Sequence, residues 1–153
     1  MQDQGNIIIL EPGDIYFGEA PGLLKTLLGS CVAVTLWHPR LHLGGMCHVV
    51  LPGSSENSDD YRYASCAIVK FVKDIKARQS HTQDYQAGLY GGGNMFPDIS
   101  SSEHLQVGKK NIEAVQEIML EHGFNISEFN IGGTYFRRIS LDLDSGETLV
   151  SGN

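Results

Sequence analysis

Cys31 and His48 are the residues of this sequence best suited to covalent chemistry at a carbonyl carbon. Cys31 closes the run Thr26-Leu27-Leu28-Gly29-Ser30-Cys31, and His48 closes Gly44-Gly45-Met46-Cys47-His48. A free thiol is only a few per cent ionised near neutral pH, so a nucleophilic cysteine needs a basic neighbour such as an imidazole. Gly29 and Ser30, both small, let the chain bend just ahead of the thiol. Gly29 can adopt a backbone conformation closed to other residues, and it admits a substrate backbone closely. N–H groups converging at such a bend stabilise an oxyanion, one donor being worth roughly 2.7–4 kcal/mol of barrier. Apolar strands also carry cysteine as a plain small hydrophobe, so packing is the competing role for Cys31.

Two strands must bring the pair together. Val32 to Trp37 and Met46 to Leu51 are rich in β-branched and apolar residues and are bounded by Gly and Pro. A hairpin turning at Pro39-Arg40 sets Cys31 directly opposite His48, with Cβ atoms about 4.5–5.5 Å apart. A slip of one residue sends His48 to the other face. Pro39 suits a tight two-residue turn poorly, so a longer loop is expected, or a bulge at Gly44 and Gly45. Cys47 faces away from His48 on such a strand and belongs to packing. Cys66, on a helix, is a core or surface residue.

The remaining elements frame this hairpin. Strands are expected at Asn6–Leu10, Ile15–Phe17, Leu23–Leu28, Ile126–Ile131, Phe136–Leu143 and Glu147–Val150, with Asp144-Ser145-Gly146 turning the last pair. Apolar periodicity predicts a helix over Asp60–Arg78, with Tyr61, Ala64, Ile68, Phe71, Val72 and Ile75 inward and Ser58 or Asp59 as its cap. A second helix spans Gly108–His122, with Ile112, Val115, Ile118 and Met119 inward and Gly123 as its C′ residue. The order β-rich, α, β, α, β-rich indicates a mixed α+β domain rather than a regular βαβ repeat.

Composition narrows the function classes. The 153 residues, 41% hydrophobic, fit a single domain over 1–153 whose core needs neither metal nor disulfide to fold. A formal charge of −7 argues against nucleic acid or an anionic membrane surface as the main partner. Three cysteines at irregular spacing indicate reduced thiols in the cytoplasm rather than a disulfide framework. Met1-Gln2-Asp3-Gln4-Gly5 has no basic n-region, and no apolar run approaches the length of a membrane span, so neither a signal peptide nor membrane insertion is expected.

Other sites compete. His38, His42, Cys47 and His48 could be taken for a zinc set, but Pro39 and Gly44 break the helix that the His38–His42 spacing suits, and no C-x-x-C accompanies them. Gly91-Gly92-Gly93 lacks the Lys-Ser/Thr and the immediate helix of a phosphate loop, so close backbone packing or room for substrate is expected there. Tyr61 and Tyr63 offer a partner surface, although one of them belongs to the core face of the first helix.

Thr26-Leu-Leu-Gly-Ser-Cys31-Val-Ala-Val, followed by Gly44-Gly-Met-Cys-His48-Val-Val-Leu-Pro52, resembles the signature of the CheD family of chemoreceptor glutamine deamidases. Arg62-Tyr63-Ala64, the glycine-rich Leu89-Tyr90-Gly91-Gly92-Gly93-Asn94-Met95-Phe96 and Asn130-Ile131-Gly132-Gly133 extend the resemblance over nearly the whole chain. Lys110 stands where arginine is usual, and Phe136 where glycine is common; neither departure touches the Cys–His pair. The resemblance implies hydrolysis of selected glutamine side-chain amides on methyl-accepting chemotaxis receptors, with Cys31 and His48 as the catalytic pair and Thr26 contributing. Gly29 and Ser30 then form the oxyanion and substrate loop, through a thioester and without metal or cofactor. It also implies mixed and antiparallel sheets layered with two main helices, a fold similar to that of bacterial deamidating-toxin cysteine hydrolases. Some members bind a CheC-type phosphatase. The competing function is a non-catalytic module that binds such a phosphatase or a receptor.

Overall fold

The computed structural model describes residues 6–97 and 107–152; Met1–Gly5, on which the signal-peptide expectation rests, lies outside them. The elements run β1 (Ile7–Leu10), β2 (Ile15–Glu19), β3 (Leu23–Leu28), β4 (Val32–His38), β5 (Leu43–Val49), α1 (Ala64–Ala77), β6 (Gln86–Gly91), α2 (Val107–Glu121), β7 (Asn125–Ile131), β8 (Arg137–Asp142) and β9 (Thr148–Gly152). They form two mixed sheets, ordered β1-β3-β8-β9 and β2-β5-β4-β6-β7. This is the expected α+β class.

Residue alternation builds three layers. Along β4, Val32, Val34 and Leu36 join a core with Ala64, Ile68 and Phe71 of α1 and Val115 and Met119 of α2. Ala33, between them, faces the other way and packs with Leu24, Leu28 and Ile139 of the four-stranded sheet. Helices therefore cover one face of the five-stranded sheet, and the second sheet covers the other. With both faces covered, β5 is buried at every position, which is why its sequence reads as nearly continuous apolar and glycine residues.

The β4–β5 hairpin corrects the expected register. His38 pairs with Leu43 and Ala33 with His48, so the loop is Pro39–His42 rather than Pro39-Arg40 alone. The His38 ring caps it, Nδ1 accepting the N–H groups of Arg40 and Leu41 at 3.3 and 3.2 Å. The two added residues displace the pairing by two positions, and side chains repeat every second residue. His48 therefore keeps the face predicted for it but stands opposite Ala33 instead of Cys31.

Gly44 and Gly45 make no bulge, since β5 pairs regularly with both β2 and β4. A Cβ on Gly45 would run into the Tyr16 carbonyl oxygen and come within 3.0 Å of the Phe71 ring, so the glycine lets β2 and α1 close on the strand. Helix α1 begins at Ala64, later than expected, with Tyr63 as N-cap and no side-chain cap. Its first N–H donates instead to the Leu51 carbonyl at 3.0 Å, which replaces the expected capping by Ser58 or Asp59. Gly123 ends α2 with φ +83°, as its position predicted. Among the described residues no helix is long and apolar enough to cross a membrane.

Candidate active site

Thr26, His48 and the thiol all stand toward the space between the sheets. Thr26 lies beside Leu10 in the parallel β1–β3 pair. Its Oγ1 is 2.8 Å from the Leu10 carbonyl oxygen and 2.7 Å from His48 Nδ1. A carbonyl only accepts, so the single Thr26 proton goes to Leu10, and Nδ1–H must donate to Thr26. The imidazole is thus held as the Nδ1–H tautomer with its lone pair on Nε2. Nε2 is buried and has no partner among the described residues. The strand itself is fixed by the turn before β2: His48 N–H donates to Asp14 O at 3.1 Å, and Gly13 N–H donates to His48 O at 2.9 Å.

Cys31 precedes β4, is half-buried, and packs with the inter-sheet cluster that contains Ala33, Leu28 and Met46. Ala33 lies opposite His48, and Cys31 precedes Ala33 by two residues on the same face. Cys31 is therefore the diagonal neighbour of His48, about 7–8 Å away between backbones, and its thiol makes no hydrogen bond to the ring.

The bend at residues 29–31 is held from behind by its carbonyls. Gly93 N–H donates to Gly29 O and Gly92 N–H to Cys31 O, each at 2.9 Å. Asn111 Nδ2 donates to Ser30 O at 3.2 Å and to Val50 O at 3.0 Å. Gly29 is not in the left-handed region, contrary to the sequence-based expectation. It supplies space: a Cβ there would come within 3.1 Å of both Met95 Sδ and the Phe136 ring. Within the facing glycine run, Gly91 and Gly92, at φ +103° and +68°, adopt backbone conformations that require the type. The glycine run thus acts as a backbone brace for the thiol loop.

A buried arginine secures that brace. Arg137, 1% exposed, donates from Nε to Asn130 Oδ1 at 2.8 Å and from Nη2 to Gly132 O at 2.6 Å, with its guanidinium 4.2 Å above the Tyr135 ring. Gly132 N–H reaches Gly91 O at 2.9 Å, and Asn94 N–H reaches Gly133 O at 2.8 Å.

Burial pushes the Cys31 thiol above its ordinary value. It pushes His48 below the ordinary imidazole value, opposed in part by the Leu10 carbonyl and Asp14. Both shifts favour a neutral thiol beside a neutral imidazole over an ion pair. The unfolded chain takes up a proton at His48 near pH 6.5, which the folded site resists, so this stabilising contribution is present above about pH 6.5 and lost below it. Acidification from about pH 7 to about 5 should lower the melting temperature more for the wild-type chain than for His48→Gln. Equal slopes in the two proteins would contradict the assignment.

The remaining candidates are used structurally. Cys47 is fully buried in the helix-side core, its thiol pushed up to about 12 by burial. Cys66 is buried on α1, with Sγ 3.7 Å from Asn57 O. His38 caps its loop and meets the Tyr85 ring edge-on, and the His42 ring packs against Trp37 at a tilt of 43°. Among the described residues no three His, Cys, Asp or Glu side chains are grouped to hold a metal. Lys110 is exposed on α2. Sequence reasoning missed Asn111 and Arg137. The signal for Asn111 was a polar residue on the same helical stripe as Gly108, Val115 and Met119, all of them buried.

Comparison with known proteins places this geometry in context. The family described as CheD chemotactic sensory transduction matches residues 50–152. The chain is 39% identical over 146 residues to the probable chemoreceptor glutamine deamidase CheD of Pseudomonas fluorescens (strain SBW25), covering 94% of this chain and 82% of that protein. The protein of the same description from Pseudomonas syringae pv. tomato (strain ATCC BAA-871 / DC3000) is 38% identical over 146 residues, covering 94% and 87%. The probable chemoreceptor glutamine deamidase CheD 1 of Leptospira interrogans serogroup Icterohaemorrhagiae serovar copenhageni (strain Fiocruz L1-130) is 37% identical over 150 residues, covering 94% and 90%.

Proposed function

The chain belongs to the CheD family, and from that membership and the geometry around His48 we propose that it is a cysteine-dependent deamidase of glutamine side chains on methyl-accepting chemotaxis receptors. The observation that carries this reading is the Thr26–His48 contact of 2.7 Å, which turns the imidazole's lone pair to Nε2 on the face that Cys31 shares.

His48 Nε2 removes the Cys31 proton as the sulfur attacks the glutamine amide carbon, so the thiolate exists only during attack. A C–S bond forms, and the oxygen becomes an oxyanion facing the N–H groups of the residue 29–31 bend. Collapse breaks the C–N bond, and His48 returns its proton to the departing ammonia. Water, deprotonated by the same Nε2, then cleaves the thioester to glutamate and restores the thiol. Nδ1–H stays on Thr26 throughout.

The site of action is the cytoplasm, where thiols remain reduced, and a CheC-type phosphatase is a second partner in this proposal. Incubation with a receptor cytoplasmic fragment, followed by peptide mapping in a mass spectrometer, should reveal specific glutamines converted to glutamates. A fragment that binds yet keeps every glutamine would instead make the protein a non-catalytic binding module.

A further inference from the structure

We propose that Asn111 is a positioning residue for the oxyanion site: its amide sets the Ser30–Cys31 peptide so that the Cys31 N–H is aimed where negative charge develops, and it ties that peptide to the strand bearing His48. The inference rests on the deamidase reading, with Cys31 as nucleophile.

Asn111 is 0% exposed, on the stripe of α2 that faces the five-stranded sheet. Its two partners, Ser30 O and Val50 O, are both carbonyl oxygens, so the atom facing them must be the NH₂ donor. The β4–β5 ladder ends at the Val32–Val49 pair, and Ser30 and Val50 lie just beyond it. One side chain thus bridges the two chain ends where the sheet stops doing so.

The direction of the Cys31 N–H follows from the planarity of the peptide. The Ser30–Cys31 peptide is trans, and its N–H points opposite to its C=O. With Ser30 O drawn toward α2, the Cys31 N–H is turned away from the helix. The flanking carbonyls of Gly29 and Cys31 are held by backbone N–H groups, whereas the middle one depends on a side chain that one substitution removes. Asn111 Oδ1 is buried without a partner among the described residues. An aliphatic side chain would avoid that orphan oxygen but could hold neither carbonyl.

The test compares two reactions of the same thiol in the full chain. Acylation of Cys31 by p-nitrophenyl acetate passes through a tetrahedral oxyanion, whereas alkylation by iodoacetamide does not; peptide mapping restricts both readings to Cys31. Asn111→Leu keeps the branched outline and removes both donor hydrogens, and Asn111→Ser, smaller, keeps one donor group at shorter reach. In Asn111→Leu, acylation and receptor kcat should fall about tenfold or more, toward the 10²–10³-fold that loss of an oxyanion donor costs. Alkylation and receptor KM should stay near wild type, and Asn111→Ser should lie between. Equal falls in acylation and alkylation, no fall in either, or failure of both variants to fold would overturn the positioning role. A wild-type Cys31 that is not acylated would defeat the deamidase reading first. Normal acylation in both variants would defeat only the role of Asn111.

Discussion

A Cys31→Ala chain loses receptor glutamine deamidation by at least about 10⁴-fold, the scale on which removal of a nucleophile acts in triad enzymes. Its melting temperature stays close to that of the wild type, because one half-buried sulfur atom contributes about 1 kcal/mol or less. No other thiol can substitute. Cys47 is fully buried on the opposite face of β5, and Cys66 belongs to α1. Cys47→Ala and Cys66→Ala should accordingly retain turnover. Ammonia release measured beside unfolding curves separates chemistry from folding. A Cys31→Ala protein within tenfold of wild-type turnover would show that the sulfur takes no part.

Thr26→Val lowers kcat by about 10²–10³-fold, since well-placed general acid–base catalysis contributes about 10²–10⁴-fold and the base here depends on its tautomer. Valine has nearly the threonine shape but neither accepts from His48 Nδ1–H nor donates to Leu10 O. The ring then exchanges freely between tautomers, and much of the population presents Nε2–H, which cannot take a proton. Stability falls too, by about 1 kcal/mol, from the lost buried hydrogen bond to the Leu10 carbonyl. Thr26→Ser keeps the hydroxyl and should recover most of the rate. Nitrogen chemical shifts of the His48 ring distinguish this from a general loosening: the wild type shows a protonated Nδ1, and the valine variant a mixture. A valine variant with wild-type shifts and rate would remove Thr26 from the mechanism.

The sequence exposed the parts of the fold that repeat and hid those that depend on contact across it. Strand β3 was readable to the residue, and α2 to within one residue at each end, because alternation and helical periodicity are local signals. The start of α1 was not, since a carbonyl from Leu51 supplies the cap that Ser58 or Asp59 was expected to give. Gly44 and Gly45 suggested a bulge, yet what they accommodate is the approach of β2 and α1, which no local pattern announces. Within the site, Cys31 and His48 stood out by residue type. The partnership of Thr26 with Nδ1 required the parallel β1–β3 pairing to bring Leu10 alongside. Asn111 left only the trace of a polar residue on a buried helical stripe, and Arg137 left none, because the fold alone brings their acceptors, Ser30 O and Val50 O, Asn130 Oδ1 and Gly132 O, within reach.

The four-residue connection from Pro39 to His42 has a consequence for how the hairpin can vary in length. Removing or adding an even number of residues there slides the strands yet leaves His48 between the sheets. An odd change rotates every β5 side chain half a turn, exchanging His48 with Cys47 and burying the imidazole against the helices. The parity of the loop length therefore decides which face His48 takes, and the length itself decides how far along β4 the imidazole stands from Cys31.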